Sequence, residues 1–128
     1  MSFGKRSGPA AERLAERRRR EDDAPRLIER VPQLESLRLE IQELRGGSAV
    51  PESTHVRRIP VASAPALFER PCLDGFCKDG IHDLTRDILR ALESRVTKFV
   101  GEDACTGHTG SADCGRVLRY VATATYRS

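Results

Sequence analysis

Six residues able to do chemistry fall in two short loops. The first, Cys72-Leu73-Asp74-Gly75-Phe76-Cys77-Lys78-Asp79-Gly80-Ile81-His82, places two thiols and an imidazole at steps of five residues. The second, Cys105-Thr106-Gly107-His108-Thr109-Gly110-Ser111-Ala112-Asp113-Cys114, adds two thiols and another imidazole. Thiolates and imidazoles can ligate a metal, pair as disulfides, act as nucleophiles or serve as redox groups. Each choice makes different demands on spacing and surroundings.

A structural zinc site uses four Cys or His donors around a tetrahedral ion, commonly as two pairs from two loops. Cys72 and Cys77 enclose four residues, the outer limit of the usual knuckle, whereas Cys105 and Cys114 enclose eight. Two metal arrangements follow. One shared site takes Cys72, Cys77, Cys105 and Cys114. The other takes Cys72, Cys77 and His82, with Cys114 as a further donor. His82 and His108 are the substitute ligands. A helix spanning roughly residues 84–100 would be about 25 Å long and would separate His82 from Cys105, so these two are not expected to share an ion. Free cysteines can also be plain small apolar residues. Against that, all four stand among Gly, Asp and Thr, off the apolar stripes. Zinc is therefore the expected cofactor.

Catalytic readings fit less well. Pro71-Cys72 followed by Cys77 resembles the Pro-Cys…Cys half of the zinc-deaminase signature, which also needs His-x-Glu. The nearest upstream histidine reads His55-Val56-Arg57, with Arg where the proton-shuttling Glu must stand. Cys105 and His108 lack a third orienting residue and an oxyanion motif. Lys78 or a helix N-terminus beside Cys77 would suit a redox thiol. The glycines lack the Lys and helix context of a phosphate loop. The expectation is a protein that is not an enzyme.

The elements that must position these loops can be read from periodicity. Asp83 is placed to cap a helix whose stripe is Leu84, Ile88, Leu92, Val96 and Phe99, closed by Gly101. Gly115 to Tyr126 alternates as a strand, with Leu118, Tyr120, Ala122, Ala124 and Tyr126 on one face. Residues 54–69 are extended, and Pro60 and Pro65 confine them to an edge or broken strand. Residues 54–128 are thus expected to form a small α+β domain of order β-loop-α-loop-β, stapled by zinc.

Upstream, Leu27, Val31, Leu34, Leu37, Ile41 and Leu44 recur at spacings of three and four, which predicts an amphipathic helix over 25–45. Pro25 suits its first turn, and Pro32 either kinks it or marks its true start. This helix either covers its own domain or binds a protein partner or a second copy of the chain. Residues 46–53 read as a linker, and residues 1–24 as a disordered Arg/Glu-rich tail. Only Leu14 is a large apolar residue in the helix-favouring part of that tail.

Composition bounds the function classes. Net charge is +3 with 32% charged residues, so the total creates no strong field toward nucleic acid or membrane. The sequence-local candidates for nucleic-acid binding are Arg17, Arg18, Arg19 and Arg20, followed at once by three acids, and Arg116 and Arg119 beside Tyr120. There is no apolar run of signal-peptide or membrane-spanning length. A cytoplasmic protein with no membrane partner is expected. In that compartment paired cysteines bind metal more often than they form disulfides.

Overall fold

The computed structural model describes residues 9–45, 48–72, 77, 80–109 and 112–128. The chain mixes helices with antiparallel sheets, in agreement with the expected α+β class. The main sheet has four antiparallel strands: β1 (Leu34–Arg45), β2 (Ser53–Ile59), β5 (Lys98–Ala104) and β8 (Arg116–Tyr126), in the order β2-β1-β8-β5. Two small hairpins complete the strands. One pairs β3 (Glu69–Pro71) with β4 (Ile81–Asp83), and the other pairs β6 (His108–Thr109) with β7 (Ala112–Asp113). The helices are α1 (Pro9–Asp23), α2 (Leu27–Arg30) and α3 (Thr85–Glu93).

The expected helix over 25–45 is corrected: only α2 is helical, and most of the segment is the central strand β1. The stripe at spacings of three and four leaves out Leu39. With it, Leu37-Leu39-Ile41 alternates with Arg38-Glu40-Gln42, which is the period of a strand. Helix propensity is a weak prior, and here it loses to ladders on both sides. Leu37↔Ile59 through Glu43↔Ser53 pairs β1 with β2, and Leu34↔Tyr126 through Arg45↔Arg116 pairs it with β8. Pro32 disfavours helical geometry in Val31 and stops α2. The expected linker 46–53 thus joins the two strands of a hairpin and is not a domain boundary; its residues 46 and 47 lie outside the described set.

One sheet face carries the core. Leu37, Leu39, Ile41, Leu118, Tyr120, Ala122 and Ala124 pack against Leu27, Val31, Ile88 and Leu92 from the helical side. Val61, Ala66, Phe68 and Leu84 extend the same cluster. Edge strand β2 stops at Pro60, as its lost N–H requires.

Two further expectations change. The tail at 1–24 is helical from Pro9 to Asp23, and α1 is tied to β3 by Arg17 Nη2 donating to the Glu69 carbonyl (2.8 Å) and by the Arg20–Glu69 ion pair (3.0 Å). Residues 1–8 lie outside the described residues. α3 begins where expected but ends at Glu93, so Val96 and Phe99 are not on it. Its end is a Schellman closure: Arg95 N–H donates to Leu92 O (3.0 Å) and Val96 N–H to Ala91 O (3.0 Å). Arg95 carries the left-handed conformation, φ 57°, that glycine usually supplies. Gly101, read as the helix breaker, lies instead in β5 opposite Tyr120, where an added Cβ would stand 2.6 Å from the tyrosine ring. Relieving the left-handed strain by Arg95→Gly should stabilise the fold by about 0.5–1 kcal/mol, read as a raised urea midpoint with unchanged m-value.

Candidate metal centre

The two hairpins bring the cysteines together. Cys72 follows β3 and Cys77 lies in the β3–β4 connection; Cys72 N–H donates to Gly80 O (3.2 Å), continuing the ladder. Cys105 follows β5 and Cys114 precedes β8, with Cys105 N–H on Arg116 O (2.8 Å) and Cys114 N–H on Gly107 O (3.1 Å). The irregular eight-residue spacing therefore encloses the β6–β7 hairpin, and the two thiols sit at its base.

All four Sγ atoms lie within 4.8 Å of one another, so the four cysteines are placed to hold one metal ion. Cys72 Sγ and Cys114 Sγ are 3.6 Å apart, as are Cys77 Sγ and Cys105 Sγ. Metal–thiolate bonds of 2.3 Å in a tetrahedron imply sulfur–sulfur edges of about 3.8 Å. A disulfide needs about 2.05 Å, so none of the four is disulfide-bonded. Each close pair joins one cysteine from each hairpin, so an ion here would cross-link the two loops.

The backbone is arranged for thiolates. Gly107 N–H donates to Cys105 Sγ (3.3 Å), from two residues downstream. Arg116 N–H does the same for Cys114. The turn that brings it there runs through Gly115 at φ +73°, a conformation open to glycine. Burial raises the Cys114 thiol, but the Arg116 N–H and the neighbouring thiols outweigh it, leaving its pKa below the ordinary value. Cys77 goes the other way: burial first, then hydrogen bonds with Cys105 and Cys114, push it up to about 11. Such divergence between neighbouring thiols means that Cys77 and Cys114 do not titrate independently. A cation would replace the shared protons.

Gly80 and the pair His82–Asp103 complete the surroundings; from the sequence, His82 is only a substitute ligand, and neither Gly80 nor Asp103 is singled out. A Cβ at Gly80 would lie 2.5 Å from Cys105 Sγ and 2.9 Å from Cys72 Cβ, and it would also overlap Cys77 Sγ. The only signal was a glycine between two candidate ligands. His82 is a substitute ligand that the structure leaves outside the sulfur cluster. It is 2% exposed, and its Nδ1 is 3.0 Å from Asp103 Oδ2. That bond ties β4 to β5 two residues beyond Gly80 and two before Cys105. His82 and Cys105 are thus not placed to share an ion, as expected, although the helix-length argument for it does not hold. The assumed long helix is only nine residues, about 14 Å, and β5 returns to meet β4. The side chain of His108 lies outside the described residues.

The remaining predicted site residues are not brought to the centre. Leu27, Val31, Leu34, Leu37, Ile41 and Leu44 are each at most 2% exposed, so the supposed partner-facing stripe is interior. Arg17 pairs with Glu21 and Arg20 with Glu69, while Arg18 and Arg19 are exposed on α1. Arg116 pairs with Glu52 (2.8 Å) and Arg119 with Glu102 (3.4 Å). Three residues apart on a strand, Arg116 and Arg119 belong to opposite faces. No helix is long and apolar enough to cross a membrane among the described residues.

Compared with known proteins, the chain matches no family, no curated protein and no solved structure. Inference rests on the residues themselves. Because a methyl at Gly80 intrudes on three of the four cysteines, Gly80→Ala should weaken metal binding at least tenfold in a chelator competition, while α3 and the main sheet keep their circular dichroism in the loaded state.

Proposed function

We propose that this chain is a non-enzymatic interaction or regulatory module whose two hairpins are stapled by one structural zinc. The observation that carries the reading is the mutual approach of the four Sγ atoms within 4.8 Å. Four thiolates saturate a tetrahedral ion, whereas catalytic zinc keeps a position open for water or substrate. An all-sulfur tetrahedron suits zinc among the divalent metals. The purified protein should hold one tightly bound zinc per chain, and a strong chelator should unfold the hairpins. Cys72→Ala and Cys114→Ser should each abolish that zinc. Elemental analysis with native mass spectrometry decides: four titratable thiols, no zinc and an unchanged fold would sink the reading.

The partner surface in this reading is the open face of the main sheet, since the Leu27-to-Leu44 stripe is buried. Register aligns Arg58, Arg38, Thr123 and Lys98 in one row across all four strands. The next row holds Val56, Glu40, Val121 and Val100, with Val56 51% and Val100 69% exposed. The three cations have no carboxylate within ion-pair distance among the described residues.

This row also favours a second reading, a nucleic-acid binder that holds phosphates on the open face with Arg119 nearby. Retention on nonspecific DNA or RNA should then fall steeply between about 50 and 200 mM salt, and Arg38→Gln with Lys98→Gln should weaken it further. Absence of retention at low salt rejects this reading and leaves a protein partner.

A further inference from the structure

A second site lies on the core-facing side of the sheet, between α1, the β2 edge and the segment 60–68. It is a cavity of about 300 Å³, the size at which small-molecule pockets begin. Its apolar walls come from Leu39, Ile41, Phe68 and Leu84, all buried residues of the core cluster. Three guanidinium groups, of Arg17, Arg57 and Arg70, line the same cavity. Register places Arg57 opposite Leu39, so it belongs to this face, while its neighbour Arg58 belongs to the open one.

The three arginines are not equally committed. Arg17 is held by Glu21 and by the Glu69 carbonyl. Arg57 has no carboxylate within ion-pair distance among the described residues. Arg70 has its Nε buried with no hydrogen-bond partner. A buried donor left unsatisfied calls for an explanation, commonly a water or ligand. Glu43, on β1 two positions beyond Ile41, attracts Arg70 electrostatically, but its own buried Oε1 is likewise without a hydrogen bond. The two therefore do not close an ion pair. Arg57 and Arg70 thus line an apolar cavity without a carboxylate bonded to either among the described residues.

We propose that this cavity binds a small amphipathic anion, its charged head on Arg57 and Arg70 and its hydrocarbon body against Leu39, Ile41 and Phe68. The guanidinium fork suits a planar carboxylate or a phosphate oxygen pair. The apolar walls exclude inorganic ions as the full occupant. Glu21 and Glu69 also line the site. Both already hold arginines of α1, so they do not neutralise Arg57 or Arg70.

The test is calorimetric titration of the metal-loaded full chain with octanoate and octyl phosphate, using octanol as the uncharged control. Saturable binding of at least one anion, at least tenfold tighter than octanol, is expected; the tighter anion identifies the head group. Arg57→Gln should weaken it tenfold or more. Arg57 is exposed, so this substitution leaves the fold intact even if Arg70→Gln does not. Arg58→Gln, on the opposite face, should change nothing. The proposal is overturned if neither anion binds saturably, if octanol binds equally well, or if Arg57→Gln and Arg58→Gln behave alike.

Discussion

Four sulfur atoms within 4.8 Å constitute the constraint on which the smaller half of this structure depends. Thiolates at that separation repel one another, and thiols at that separation compete for protons. The opposed shifts of Cys77 and Cys114 record the competition. A divalent cation resolves both problems at once. Its binding free energy then becomes folding free energy for the loops that carry its ligands. Those loops have few other means of support. Strands of two and three residues are too short to stand as independent hairpins.

The rest of the fold delivers the hairpins to a common point. β1 and β8 form the centre of the sheet, and β5 lies along β8 so that Cys105 emerges beside Arg116. α3 is short enough to return the chain to the level of β4, where His82 meets Asp103. A buried histidine bonded to a carboxylate is a satisfied polar pair, and here it locks the two cysteine-bearing segments in step. Gly80 and Gly115 work at closer range. One makes room for sulfur by having no side chain, and the other turns an amide toward sulfur by adopting a positive φ.

The chemistry was more legible in the sequence than the architecture. Cysteine is readable without knowing the fold, because four thiols among Gly, Asp and Thr have few other uses. β8 was legible because Leu118, Tyr120, Ala122 and Ala124 alternate without interruption. β1 was not. Its Leu, Glu, Arg and Gln residues all favour helices, and a stripe of every third or fourth residue can be drawn through them if Leu39 is passed over. What makes it a strand is its two neighbours, one of them more than seventy residues away, and no local window contains them. The end of α3 escaped for a different reason. An arginine fills a place that usually announces itself with glycine, while the real glycine, Gly101, marks a close approach to Tyr120.

The antiparallel pairing of β1 with β8 sets Leu34 against Tyr126. During synthesis at roughly 5–20 residues per second, β1 therefore waits several seconds before its C-terminal neighbour leaves the ribosome. For that interval it has only β2 as a partner, and Leu37, Leu39 and Ile41 face outward, a surface able to pair with another nascent chain. Cys114 emerges before β8 does. Capture of a metal by the two hairpins would thus come ahead of sheet closure, shortening the effective loop that β8 must close and hastening the protection of β1.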